Sequence, residues 1–171
     1  AATCPRAPRG AKTVDLRGAY LAPGFIDLHV WGEPGDVAHD AVRHGTTAFL
    51  TTLGPEPVAR LLKRIAARSR AADPADGAMC LGVHLEGPFV NPARGGALPR
   101  RGMRRPTLRE IARLTRAARG RLKLLTMAPE LPGAETAIRE LVRRRVRVSL
   151  GHSVASEAAA HGAVEVGARA V

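Results

Sequence analysis

The chain has 171 residues, room for one domain with a substantial core. Apolar residues make up 45% of it and aromatics 3%, which excludes disorder by composition and leaves a core of mostly Ala, Val and Leu. A formal net charge of +12 points toward an anionic partner, while no apolar run approaches the roughly 18 residues of a membrane span and no charged-then-apolar leader opens the chain.

Residues 1–20 read as an N-terminal tail and the remnant of a small β domain, with Val14–Tyr20 as a short strand. The lack of an initiator Met suggests a cut or processed end. From residue 21 a pattern repeats. LAPGFIDLHV (21–30) reads as a strand and GDVAHDAVRHG (35–45) as a helix closed by Gly45. TTAFLTTL (46–53) is rich in β-branched residues, and VARLLKRIAARSRAA (58–72) sets Leu61, Leu62 and Ile65 on one helix face. CLGVHLE (80–86) is the third strand. TLREIARLTRAARG (107–120) is a helix with Thr107 and Glu110 spaced as a capping box and Gly120 as its stop. RLKLLTMAP (121–129) and VRVSLGH (146–152) are strands, each followed by a helix, at 134–145 and 156–167. ARAV (168–171) begins a sixth strand.

This alternation predicts a parallel α/β sheet, either doubly wound or part of a (β/α)8 barrel. Polar residues gather at strand ends: Asp27 and His29, Thr51 and Thr52, His84 and Glu86, Glu130, His152 and Ser153. Side chains from so many strand tips favour the partial barrel, whose chemistry sits at that edge. No glycine-rich phosphate loop follows the first strand, which speaks against a dinucleotide site.

The stretch HLEGP places Glu86 where an apolar strand stops. A carboxylate there needs a positive partner. An arginine would serve, and the chain is rich in them. A divalent cation would also serve, shared with an imidazole such as His152 or His29 from another strand. Asp27 and Glu130 are better read as a strand-end hydrogen bond and a loop-fixing carboxylate. Cys4 and Cys80 form no zinc-type pair; Cys4 falls in the tail and Cys80 reads as a small buried thiol. Cysteine usage fits a reducing cytoplasm.

Four segments, in this order, carry a resemblance: PGFIDLHVWG, HLEGPFVNPARGGALP, TMAPE and SLGHS. Together they resemble the N-acetylglucosamine-6-phosphate deacetylase family of the amidohydrolase superfamily, from about Val14 to Val171. The resemblance implies that residues 21–171 are the N-terminal portion of a metal-dependent hydrolase barrel. Its activity would be hydrolysis of the N-acetyl group of N-acetylglucosamine 6-phosphate, releasing acetate. It carries a metal-binding Glu onto Glu86 and a metal-binding His onto His152, with zinc as the expected divalent cation. The family's H-x-H pair falls on His29 and Trp31, so His29 is a further candidate ligand while the indole cannot ligate. The sugar-contacting loop falls on Ala97 and Leu98, where the family's His is lost.

The family's third metal ligand, its catalytic Asp and its last barrel strands would lie beyond Val171. No catalytic residue is therefore assigned within this chain, and a truncated or inactive form is expected. The alternatives are a degenerate non-catalytic half-barrel and another amidohydrolase-type cyclic amidase. The expected partner is an amino-sugar phosphate, drawn by Arg100, Arg101, Arg104 and Arg105 unless these form a solvated run. Neither nucleic acid nor a membrane is an expected partner, and a homo-oligomer stays open. A basic nucleic-acid-binding domain ranks last, because no aromatic residues interleave the charge.

Overall fold

Strands and helices alternate through the computed structural model, which describes residues 8–71, 74 and 76–171. They run β1 (Phe25–Val30), α1 (Pro34–Arg43), β2 (Thr46–Leu53), α2 (Val58–Arg68), β3 (Met79–Glu86), α3 (Leu108–Ala118), β4 (Leu122–Met127), α4 (Ala134–Arg143), β5 (Arg147–Leu150) and α5 (Glu157–Glu165). All five strands are parallel, in the order β1-β2-β3-β4-β5. A doubly wound sheet reverses its strand order at a switch point. Here each strand lies beside its sequence neighbour throughout, so the fold is half of a TIM-type barrel.

The helices cover one face of the sheet because their apolar residues recur at helical spacing. Leu61 and Ile65 of α2, Ile111, Leu114 and Ala118 of α3, and Ala137, Ile138 and Leu141 of α4 are all buried. They meet Leu53, Val83, Leu85, Leu125, Met127 and Val148 of the strands in one continuous core. A smaller cluster of Ala38, Phe49, Ala78 and Cys80 seats α1, so Cys80 is indeed a buried thiol. The flank of the sheet is different. In β1, Phe25 is 73% exposed, Ile26 60% and Leu28 53%.

Several expectations need correction. Val14–Tyr20 forms no strand; a turn at Arg17–Gly18 occupies it, and no sheet edge pairs with it. β1 starts at Phe25, four residues later than the apolar run suggests, since Pro23 has no N–H for a ladder. α2 ends at Arg68, and Ala72, the expected end, lies outside the described residues, as does Cys4. The sixth strand amounts to one bridge, Ser149 to Ala170. The capping box at α3 is half made: the Glu110 N–H donates to Thr107 Oγ1 at 3.2 Å, but the Glu110 carboxylate turns to Arg104. A guanidinium outcompetes a backbone N–H for a buried carboxylate.

Among the described residues no helix is long and apolar enough to cross a membrane.

Candidate metal centre

The carboxyl ends of β1, β3 and β5 deliver three side chains to one cleft. His29 lies near the end of β1, Glu86 ends β3, and His152 stands two residues past β5. The cleft is about 440 Å³ and is lined by His29, Trp31, Glu86, Ala97, Leu98, Pro99 and His152. All the residues singled out as ligands or sugar contacts in the sequence thus line a single cavity.

Glu86 takes no arginine among the described residues. Its Oε1 lies 2.9 Å from His152 Nε2 and its Oε2 lies 3.5 Å from His29 Nε2. His152 Nδ1 faces the Arg94 carbonyl at 2.9 Å. A carbonyl only accepts, so that nitrogen carries the proton. In the neutral ring, Nε2 then turns a lone pair toward a carboxylate oxygen. Two lone pairs at that distance need a proton or a cation between them. Metal bonds of about 2.0–2.2 Å reach across such a gap. The donor pair therefore fits a divalent ion.

The backbone is bent to make this meeting. His152 adopts φ 51°, a left-handed conformation uncommon for a residue with a Cβ. Gly151 before it packs so close that a Cβ would come within 2.8 Å of Thr126 Cγ2. The His152 carbonyl also ties down the loop after β3, accepting the Asn91 N–H at 2.9 Å.

His29 is held differently. The Trp31 indole N–H donates to His29 Nε2 at 3.0 Å and occupies the lone pair a metal would need. Trp31 thus does more than fail to ligate. It withholds its neighbour as well. Its ring lies over Gly54, where a Cβ would approach Cη2 to 2.8 Å. Among the described residues no group of three or more His, Cys, Asp and Glu is arranged to hold a metal. The set is two donors, Glu86 and His152, with His29 diverted.

Other strand-end residues serve structure. Asp27 Oδ1 accepts the His29 backbone N–H at 2.9 Å, the expected strand-end bond. Glu130 accepts from Asn91 Nδ2 at 2.9 Å, Ser153 Oγ at 2.6 Å and the Val154 N–H at 2.8 Å. Partial burial pushes its pKa up, but the Ser153, Val154 and Asn91 donors outweigh this and hold it below the usual carboxylate range. It pins the two loops that carry the site. Thr51 and Thr52 are 1% exposed and stay out of the cleft, because β2 is covered along its last five residues. Arg104 is also structural: Nε donates to Glu110 Oε1 at 2.6 Å and Nη1 to the Glu56 carbonyl at 2.8 Å. Only Arg100, Arg101 and Arg105 of that run are exposed.

Sequence reasoning gave His84 no separate role. It is buried beneath the cleft, with Nε2 2.9 Å from Thr126 Oγ1 and its ring 5.1 Å from that of His29. Burial first, then the charge of His29, lowers its pKa to about 4, against a smaller opposing pull from the Leu28 backbone. Above pH 6.5 both folded and unfolded chains keep this ring neutral. Between pH 6.5 and about 4 only the unfolded chain takes the proton. Stability should therefore fall through that window by on the order of 3 kcal/mol and then level off. Urea melts across the window should show that slope, and His84→Gln should flatten it.

The half-barrel and its cleft define a class: part of a (β/α)8 barrel with imidazole and carboxylate donors at the carboxyl edge of its strands. Within that class, homologues of the chain include N-acetylglucosamine-6-phosphate deacetylases. No family model matches the chain. The N-acetylgalactosamine-6-phosphate deacetylase of Escherichia coli O157:H7 is 37% identical over 163 residues, 86% of this chain and 43% of that protein. The N-acetylglucosamine-6-phosphate deacetylase of Vibrio furnissii is 33% identical over 176 residues, covering 95% and 44%. A crystal structure of the Mycobacterium smegmatis N-acetyl-D-glucosamine-6-phosphate deacetylase superposes with a TM-score of 0.75 at 31% identity, covering 85% of this chain and 41% of that one. The chain therefore spans less than half the length of these relatives.

Proposed function

We propose that this chain supplies one side of a metal-dependent site that removes the N-acetyl group from an N-acetylhexosamine 6-phosphate. The observation that carries this reading is the Glu86–His152 pair, 2.9 Å apart in a cleft of about 440 Å³, with no arginine among the described residues on the carboxylate. The named relatives support the substrate class. Zinc is the leading cation on chemical grounds, since it takes imidazole nitrogen and carboxylate oxygen at similar distances.

A divalent cation held there supplies Lewis acidity, polarising an acyl carbonyl and easing deprotonation of water. The chain's own residues do the rest. The Arg94 carbonyl fixes the His152 tautomer, so that Nε2 is the free donor. Glu86 sets negative charge at the strand tip. Trp31, Ala97, Leu98 and Pro99 form an apolar wall that limits water beside the reacting group. With a leucine where the family presents a histidine, the sugar loses one polar contact. Two protein donors also hold a cation less firmly than the three normal at a catalytic zinc. The reading thus places the chain in amino-sugar catabolism, with Glu86 and His152 as its own share of the donors.

Trp31 is the only tryptophan of the sequence and lines the cleft, so its emission reports on occupancy. Titration with Co2+ should quench it saturably, with a dissociation constant in the micromolar range or weaker, as expected for about two protein ligands. Added zinc should compete. Zinc-dependent release of acetate from N-acetylglucosamine 6-phosphate tests the chemistry directly. Emission that ignores Co2+ and zinc would remove the metal and the deacetylase reading with it.

A further inference from the structure

The outer surface carries a second feature that the cleft does not explain. Between α2 and α3 runs a groove of about 380 Å³ lined by Leu62, Ala66, Ala117, Arg70, Arg113, Arg116 and Arg119. Its floor is aliphatic and its rims are guanidinium groups, all four exposed. On α3, positions 113 and 116 are three apart and share one face, while Arg119 follows the helix in a left-handed turn and closes the end of the groove.

These charges have no local answer. α2 contains no carboxylate. The single carboxylate of α3, Glu110, is taken by Arg104 at the far end of the helix. The ion pairs among the described residues engage Arg60, Arg64, Arg68, Arg104, Arg139, Arg143 and Arg144 and none of the four rim arginines. A purely solvated charge run would alternate in sign or face water on a convex surface. This one flanks an apolar trough.

The groove also lies away from the cleft. Helices in a parallel α/β unit run against the strands, so the C-terminal ends of α2 and α3 sit by the strand edge opposite Glu86 and His152. Substrate attraction does not account for it.

We propose that this groove docks an acidic amphipathic helix of a partner protein. Apolar side chains at i, i+3 and i+4 would enter the trough over Leu62, Ala66 and Ala117, and flanking Glu or Asp would meet Arg70, Arg113, Arg116 and Arg119. Charge complementarity decides the sign of the partner, and the chain's overall +12 would steer it. It also opposes a second copy of this chain. Nucleic acid is disfavoured because no aromatic ring lines the groove for a base to stack upon.

The test uses the full chain and three probes in fluorescence anisotropy. The first is a fluorescein-labelled helical peptide with leucines at i, i+3, i+4 and i+7 and glutamates beside them. The second is the same composition scrambled, and the third is a single-stranded oligonucleotide of similar charge. The patterned peptide should bind at least tenfold more tightly than the scrambled one. The exposed double variant Arg113→Glu/Arg116→Glu should lose at least tenfold, with an unchanged far-UV spectrum and unchanged Co2+ quenching of Trp31. Equal binding of patterned and scrambled peptides overturns the proposal, as does tighter binding of the oligonucleotide. Concentration-dependent self-association that the double variant abolishes overturns it in favour of a second copy. If the variant fails to fold, competition between patterned and scrambled peptides on the unmodified chain gives the same decision.

Discussion

Glu86→Ala should weaken Co2+ binding by more than about 100-fold, beyond the 10–100-fold that loss of an outer-shell partner costs. Its carboxylate is the one anionic donor of the cleft, and the His152 imidazole turns to it at 2.9 Å. Glu86→Gln should behave almost as badly, because an amide keeps the shape but not the charge. Trp31 emission titrated with Co2+ checks both variants. The fold should tolerate them. A carboxylate held at a strand tip for binding contributes little to stability, and relieving its burial is neutral or stabilising. Urea midpoints at or above that of the unmodified chain, together with lost quenching, are the expected pair of results. Undiminished Co2+ affinity in Glu86→Ala would show that the ion, if any, sits elsewhere.

Phe89→Ala should have the opposite profile. Phe89 follows Glu86 by three residues, is fully buried, and packs within the main core. Its carbonyl accepts the Ala128 N–H at 2.8 Å, so it fastens the loop after β3 to the end of β4. Emptying that site should cost about 3–5 kcal/mol. A domain holds only about 5–15 kcal/mol in total, so the loss is a large fraction of it. The urea midpoint should drop steeply, and Co2+ quenching should weaken as the loop carrying Ala97 and Leu98 loosens. Phe25→Ala is the control. That ring is 73% exposed, and its removal should change stability by no more than about 0.5 kcal/mol. Two phenylalanines with equal midpoints would contradict the placement of the core.

What could be read from the sequence was whatever depends on spacing along the chain. The helical period in α3 and α4 and the β-branched run of β2 placed those elements nearly to the residue. The strand-tip rule brought Glu86 and His152 to the same edge. What escaped depends on neighbours distant in sequence. Thr52 stands opposite His84 in register, and nothing local to TTAFLTTL says that both are covered. Arg104 looked available for a phosphate until the Glu56 carbonyl, far back in the chain, met it. The grip of Trp31 on His29 was hidden for another reason. The two residues are two apart at the end of β1 and just beyond it, but an indole N–H donating to a ring nitrogen depends on a rotamer rather than on a pattern.

The bare flank of β1 has a practical corollary. Its outer row of amides and carbonyls has no neighbour among the described residues, and Phe25, Ile26 and Leu28 stand beside it. Such a border offers a ready seat to any passing extended polypeptide. In a preparation of these 171 residues alone, concentrated solutions should cloud through that border first, and a lysine in place of Ile26 should keep them clear without touching the cleft.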